Sequence, residues 1–267
     1  MKSQLLAEWQ AFLRYEDTPG ATPPNIYLAG LILASQPCFA SIVVKHPALA
    51  AVRSIFVDLL GGGFSDAPRE FGYSLTDHAL TVANLLDQLS LKDCNIIGYS
   101  MSGAVAITLA AIRPDLVSRL VLMEANLDPL GPGEGAVSTG IAAQSEYDFC
   151  THGFQALIDS FRQAGIDGND TMSTAAGVLQ VAAPHALHRS AVSLVQGTRP
   201  TMRENLLNMV IPRAYIFGAN SLPDPDWDEL PSHGIQVLSV PNAGHFMVWD
   251  NPEGVADALV AALTSGD

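Results

Sequence analysis

The chain is poor in charge, and poorest in positive charge. Charged residues fill 15% of its 267 positions, with 13 lysines and arginines against 27 aspartates and glutamates, a net charge of −14. Such a shortage of cations argues against nucleic acid and anionic membrane surfaces as partners. It also disfavours polyanionic substrates, an effect that salt weakens by screening. Cysteine is scarce too. Cys38, Cys94 and Cys150 lack any paired or metal-like spacing, so neither a disulfide framework nor a metal site is indicated, and reduced, buried thiols are expected. No apolar run reaches the ~18 residues that a membrane-spanning helix needs. The opening MKSQLLAEWQAFLRYED has no uninterrupted apolar h-region and no cleavage pattern, so no signal peptide is expected. These absences together point to a soluble cytoplasmic protein without a metal or cofactor. A homodimer stays open.

What the chain does have is apolar material, 48% of its residues, enough for a sizeable core. Its length suits one large α/β domain or two small ones. Short apolar runs at 25–29, 54–58, 95–97 and 120–124 alternate with helical patterns at 36–50, 77–91 and 101–113. Thr76 reads as the N-cap of the second helix. This rhythm is that of βαβ units and implies a mostly parallel sheet with helices on both faces. Residues 8–16 read as one strand of an N-terminal hairpin. The alternation stops after 126, leaving helical stretches and loops up to 208. It resumes with strands at 214–218 and 236–240 and a closing helix at 252–264. The expected organisation is a core of 1–126 and 209–267, with 127–208 as a helical insertion over the C-terminal edge of the sheet. Ligands bind at that edge in open α/β folds.

The most informative stretch is CNIIGYSMSGAVAITLAAIRP, residues 94–114. A short apolar strand runs into Gly98-Tyr99-Ser100-Met101-Ser102-Gly103, and an apolar helix follows up to Pro114. A strand that turns sharply into a helix at a serine is the layout of a nucleophile elbow. The residues two before and two after the serine must be small, because strand and helix approach closely there. Gly98 satisfies this. Ser102 departs from the usual glycine but remains small. The helix directs its N-terminus, with its free N–H groups, toward Ser100, where negative charge can develop. A phosphate-binding loop is the weaker alternative for the glycines at 61–63, since neither Lys-Ser/Thr nor a helix start follows them.

A serine nucleophile requires a base, and the base an orienting carboxylate. Of seven histidines, six fall in predicted helices, the insertion or a surface turn. His245 lies in PNAGHFMVWDNPEG, between the last strand and the last helix. Ala243 and Gly244 before it are small enough to let that loop approach the elbow.

With these residues in place, the chain resembles the α/β-hydrolase superfamily over nearly its full length, with a helical cap inserted after the sixth strand. The resemblance rests on GYSMSG, on DLLGGGFSDAP in place of the family's Asp-Gly-x-Gly-x-Ser turn, and on Ala243-Gly244-His245. Residues 28–31, LAGL, occupy the position of the family's His-Gly loop, with Ala29 instead of histidine and Gly30 kept. The resemblance implies that the N–H groups of Leu31 and Met101 form an oxyanion hole. It also implies an acid after one of two strands. The more common position is filled by Asn220 and Ser221, with Asp224 further on. The other position holds Glu124, as in the branch of cap-bearing lactonases and dehalogenases. Glu124 closes an otherwise apolar strand, where an unused carboxylate is costly, so it is the preferred acid, ahead of Asp224 and then Asp128. Relatives that release halide or open epoxides attack with an aspartate at the elbow, and this chain has Ser100. The expected activity is cleavage of carboxylic ester or lactone bonds of small to medium, largely apolar molecules through an acyl-enzyme. Two rivals are a cofactor-free lyase that uses His245 as base and a ligand-binding receptor on the same fold.

Overall fold

Among the described residues, eight strands build one sheet: Lys2–Leu6 (β1), Ala11–Thr18 (β2), Ala21–Leu28 (β3), Val52–Asp58 (β4), Cys94–Tyr99 (β5), Val117–Met123 (β6), Arg213–Gly218 (β7) and Gln236–Val240 (β8). The computed structural model describes residues 1–31, 33–131 and 134–264. The spatial order is β1-β2-β4-β3-β5-β6-β7-β8. The β1–β2 and β2–β4 pairs are antiparallel and every other pair is parallel.

The longer helices are Ser35–Lys45 (α1), Leu75–Gln88 (α2), Met101–Ile112 (α3), Ala136–Ala142 (α4), Phe154–Ile166 (α5), Asp170–Leu179 (α6), Pro184–Gln196 (α7), Met202–Asn208 (α8) and Pro252–Thr264 (α9). They cover both faces of the sheet. Phe39, Ile42 and Val43 of α1 and Val255 and Leu259 of α9 pack on one face, together with Ile97. Val82 and Leu85 of α2 and Val105 and Leu109 of α3 pack on the other, together with Ile96. Adjacent residues of β5 thus enter opposite cores, which is why the strand reads as a continuous apolar run and not as an alternation.

Three local expectations change. The N-terminal segment is a complete hairpin: β1 pairs with β2, and as a mostly exposed edge it carries no apolar run to mark it as a strand in the sequence. The helix expected over 36–50 breaks at His46, whose extended backbone (φ −102°, ψ 113°) precedes Pro47 at the start of a separate turn, Pro47–Ala50. Proline disfavours the helical conformation in the residue before it. The second helix starts two residues earlier than expected, because Ser74 and not Thr76 caps it. The Ser74 Oγ accepts from Asp77 N–H, and the Asp77 carboxylate accepts from Ser74 N–H, a reciprocal box that satisfies two orphan donors.

Between 127 and 208 the described residues hold α4 to α8 and no strand. Helix α7 is bound to the core by Leu75 N–H donating to Ser193 Oγ at 3.0 Å and by His78 Nε2 lying 3.0 Å from Ser190 Oγ. His78 is fully buried, and burial lowers its pKa to about 4. The unfolded chain therefore takes up this proton first, and folding stability should be complete above about pH 6.5 and decline as pH falls toward 4. The loss amounts to roughly 3 kcal/mol from this residue. Thermal melts across that range should show a steeper decline for the natural chain than for His78→Gln, which cannot titrate. Equal slopes would show that His78 is not the group responsible. Among the described residues no helix is long and apolar enough to cross a membrane.

Candidate active site

Strand β5 ends at Tyr99 and helix α3 begins at Met101, leaving Ser100 to make the whole turn at φ 54°, ψ −128°. A positive φ at a non-glycine residue is strained and persists only where its surroundings enforce it. Here the Ser100 N–H is held by the Met123 carbonyl at 2.8 Å, and its carbonyl accepts from Gly103 N–H at 2.8 Å. The smallness required around the turn is visible in the contacts. A Cβ on Gly98 would lie 2.5 Å from the Ser102 carbonyl oxygen, and one on Gly103 would lie 2.3 Å from Ala125 Cβ. Met101, as the first helical residue, has an N–H with no intrahelical acceptor.

His245 reaches Ser100 from the loop after β8. Its Nε2 is 3.0 Å from Ser100 Oγ. Its Nδ1 is 3.4 Å from Glu124 Oε2. Glu124 follows β6 directly, at φ 45°, with only 11% of its side chain exposed. Its other oxygen, Oε1, accepts from Gly218 N–H at 2.7 Å. Burial pushes the Glu124 pKa up, but the hydrogen bond to His245, the Gly218 N–H, the charge of His245 and the Ser221 hydroxyl outweigh it. The carboxyl ends below its ordinary value and stays ionised.

The other candidate acids are engaged elsewhere. Asp224 Oδ1 accepts from Asp226 N–H at 2.8 Å, within its own loop. Asp128 pairs with Arg203, 2.7 Å away. Ser100, His245 and Glu124 are therefore brought together, while Asp224 and Asp128 are not among their partners. Of the expected oxyanion donors, Met101 lies beside Ser100 by sequence. Leu31 follows Gly30, which presses so close that a Cβ there would meet Ser100 Cβ at 2.8 Å.

Several supporting residues were not identified from sequence. Tyr99, buried at the x position of the elbow, donates its hydroxyl to the His245 carbonyl at 2.6 Å. Asp250 accepts from Gly244 N–H at 3.0 Å and from the Thr171 hydroxyl of α6 at 2.7 Å, joining the histidine loop to the insertion. Gly218 takes a place where a Cβ would sit 2.5 Å from the Gly244 carbonyl oxygen. The only sequence trace of these contacts is residue size. Glycine at the end of β7 and before His245 marks the close approach, without showing what approaches.

Ser100 and His245 lie at one wall of a cavity of about 80 Å³ that opens to solvent. The core contributes Leu31, Leu33 and Phe246. Helices between 127 and 208 contribute Val137 of α4, Leu157 and Phe161 of α5, Leu179 of α6 and Leu187 of α7. Among the described residues this lining holds no lysine, arginine, aspartate or glutamate. Among the described residues no cluster suited to a metal ion occurs.

A serine on a strand-to-helix elbow at the carboxyl edge of a mostly parallel sheet defines a class of hydrolases. Comparison with known families agrees: the model of the alpha/beta hydrolase fold matches residues 26–252, and the chain belongs to this family. Among curated proteins it is similar to the mouse sn-1-specific diacylglycerol lipase ABHD11, 27% identical over 271 residues, spanning 92% of this chain and 83% of that one. Among solved structures, a thermophilic esterase from Thermogutta terrifontis superposes with a TM-score of 0.77 at 20% identity, covering 98% of both chains. The enol-lactonase from Burkholderia xenovorans LB400 superposes with a TM-score of 0.78 at 17% identity, covering 99% of this chain and 100% of that one. Identities this low speak for the shared fold alone.

Proposed function

We propose that this protein is a serine hydrolase of uncharged carboxylic esters, lactones included as cyclic esters. The observation that carries this reading is the continuous chain Ser100 Oγ, His245 imidazole, Glu124 carboxylate at the wall of an apolar cavity. Ser100 Oγ attacks the carbonyl carbon while His245 Nε2 takes its proton. The tetrahedral oxyanion receives the N–H groups of Met101 and Leu31. His245 then gives its proton to the leaving alkoxide, and the acyl group stays on Ser100. Water, deprotonated by the same imidazole, attacks the acyl-enzyme and releases the acid. Glu124 keeps the proton of neutral His245 on Nδ1, so that Nε2 is free to accept, and stabilises the imidazolium that forms. The segment 127–208 serves as the cap that closes over the bound ester and sets selectivity.

The lining also narrows the substrate. Burying a carboxylate without a cationic partner is strongly unfavourable, and among the described residues the cavity lining offers no lysine or arginine. A neutral acyl chain gains from the leucines and phenylalanines instead. Along a series of p-nitrophenyl esters from acetate upward, kcat/KM is expected to rise about fourfold per added methylene until the cavity is full. The p-nitrophenyl hemisuccinate, with a charged terminus, should fall at least ~100-fold below the neutral ester of equal length. Preference for the charged ester would contradict the assignment of substrate class. Absence of turnover on every ester and lactone would contradict ester hydrolysis itself.

A further inference from the structure

We infer that Ser102 is a positioning residue for the oxyanion site: its hydroxyl ties the 29–31 loop to the first turn of α3, so that the N–H groups of Leu31 and Met101 are held on one frame. This rests on the ester-hydrolase reading above. Ser102 is fully buried. Its Oγ donates to the Ala29 carbonyl at 2.5 Å, across 73 residues of sequence. The bond is not a helix cap, because it runs out of the helix to another segment.

The rest of the loop explains what this bond secures. The Ala29 N–H donates to Ser35 Oγ at 3.0 Å, and Ser35 Oγ in turn donates to the Val57 carbonyl at 2.6 Å. The Gly30 carbonyl accepts from Leu33 N–H at 2.6 Å. In a trans peptide the C=O and the following N–H point in opposite directions. Fixing the Gly30 carbonyl therefore fixes the direction of the Leu31 N–H. The loop thus has its backbone polar groups bound at Ala29 N–H, Ala29 C=O and Gly30 C=O. Ala29 itself contributes only a buried methyl group, so the link between this loop and the nucleophile helix falls to Ser102. Because Met101 and Ser102 are neighbours in the same turn, one element carries one donor and tethers the loop that carries the other. Donors fixed in advance of the reaction are what makes an oxyanion site effective.

The test uses Ser102→Ala and Ser102→Gly, both of which fit in the space available, with Ser102→Cys as a variant of similar size and weaker donor strength. Turnover is expressed per active site titrated with a fluorophosphonate, so that partly unfolded protein does not imitate the effect. The expected result for Ala and Gly is a kcat lower by roughly ten- to hundredfold, short of the ~10²–10³ for complete loss of a donor, with KM within about twofold. Affinity for a trifluoromethyl ketone, which forms an oxyanion on Ser100, should fall by the same factor as kcat/KM. Affinity for the alcohol of the same shape, which forms none, should hold. The Cys variant should lie between. If Ala and Gly keep kcat within about twofold of the natural chain, or if ketone and alcohol affinities fall together, the tether has no role in oxyanion binding. Natural protein that neither hydrolyses esters nor reacts with the fluorophosphonate would overturn the hydrolase reading. An active natural protein with indifferent Ser102 variants would overturn the tether alone.

Discussion

Ser100→Ala is expected to lower kcat on a p-nitrophenyl ester by roughly 10⁵–10⁶, the range seen when a triad nucleophile is removed. The magnitude follows from the geometry. Ser100 Oγ is the atom 3.0 Å from the base, and the elbow offers no second hydroxyl to take its place. The neighbouring Ser102 hydroxyl is buried and committed to the Ala29 carbonyl. Fold should persist, since the Ser100 backbone is held through its own N–H and carbonyl and alanine keeps the Cβ. Steady-state kinetics and a thermal melt on the same preparation check both parts. A loss of less than ~100-fold in a properly folded variant would place the nucleophile elsewhere, since only interactions made in the transition state cost this much.

Glu124→Gln should follow with a loss of roughly 10³–10⁴ in kcat, by analogy with amide replacement of a triad acid. The Gly218 N–H decides how the amide sits. It donates to Oε1, so a glutamine must present its oxygen there and turn its NH₂ toward His245 Nδ1. An NH₂ next to Nδ1 requires Nδ1 to be an acceptor, which moves the imidazole proton to Nε2. The face toward Ser100 then carries a donor instead of the base. Asp224→Asn should change kcat by no more than about threefold, under ~1 kcal/mol. Asparagine can still accept from the Asp226 N–H, and Asp224 has no contact with the imidazole to lose. The two variants are compared on one activated ester. A large loss at Asp224 with Glu124→Gln near the natural value would move the acid to the loop after β7.

How much of this was legible in the sequence depended on how local the determinant is. The elbow could be read because strand, serine and helix lie within 21 consecutive residues and each follows from side-chain size and apolarity. Glu124 could be singled out because a carboxylate at the end of an apolar strand demands a reason. His245 could be chosen by its place between the last strand and the last helix. The partner of Ser102 could not be read. Serine in place of glycine looked merely small enough, because the carbonyl it binds belongs to Ala29, on a strand end that is adjacent only through the β3–β5 pairing. Tyr99 likewise reads as core, and only the folded chain shows its hydroxyl on the His245 carbonyl. The cavity is the least legible part. Its walls come from helices α4 to α7 and from loops far away in sequence, and helical periodicity gives a face without naming what that face meets. At His46 the break is legible in the sequence: a proline in the next position ends the helix.

In the proposed reaction Ser100 Oγ is the atom that carries the acyl group. The most direct test is to titrate the natural protein with a fluorophosphonate, following esterase activity, intact mass and the peptide that bears the adduct. The expected result is a single phosphonyl group per chain, located on Ser100, with activity lost in proportion to labelling and no adduct on Ser100→Ala. Ester turnover that survives complete labelling of Ser100, or an adduct that forms on another residue as activity disappears, would contradict it.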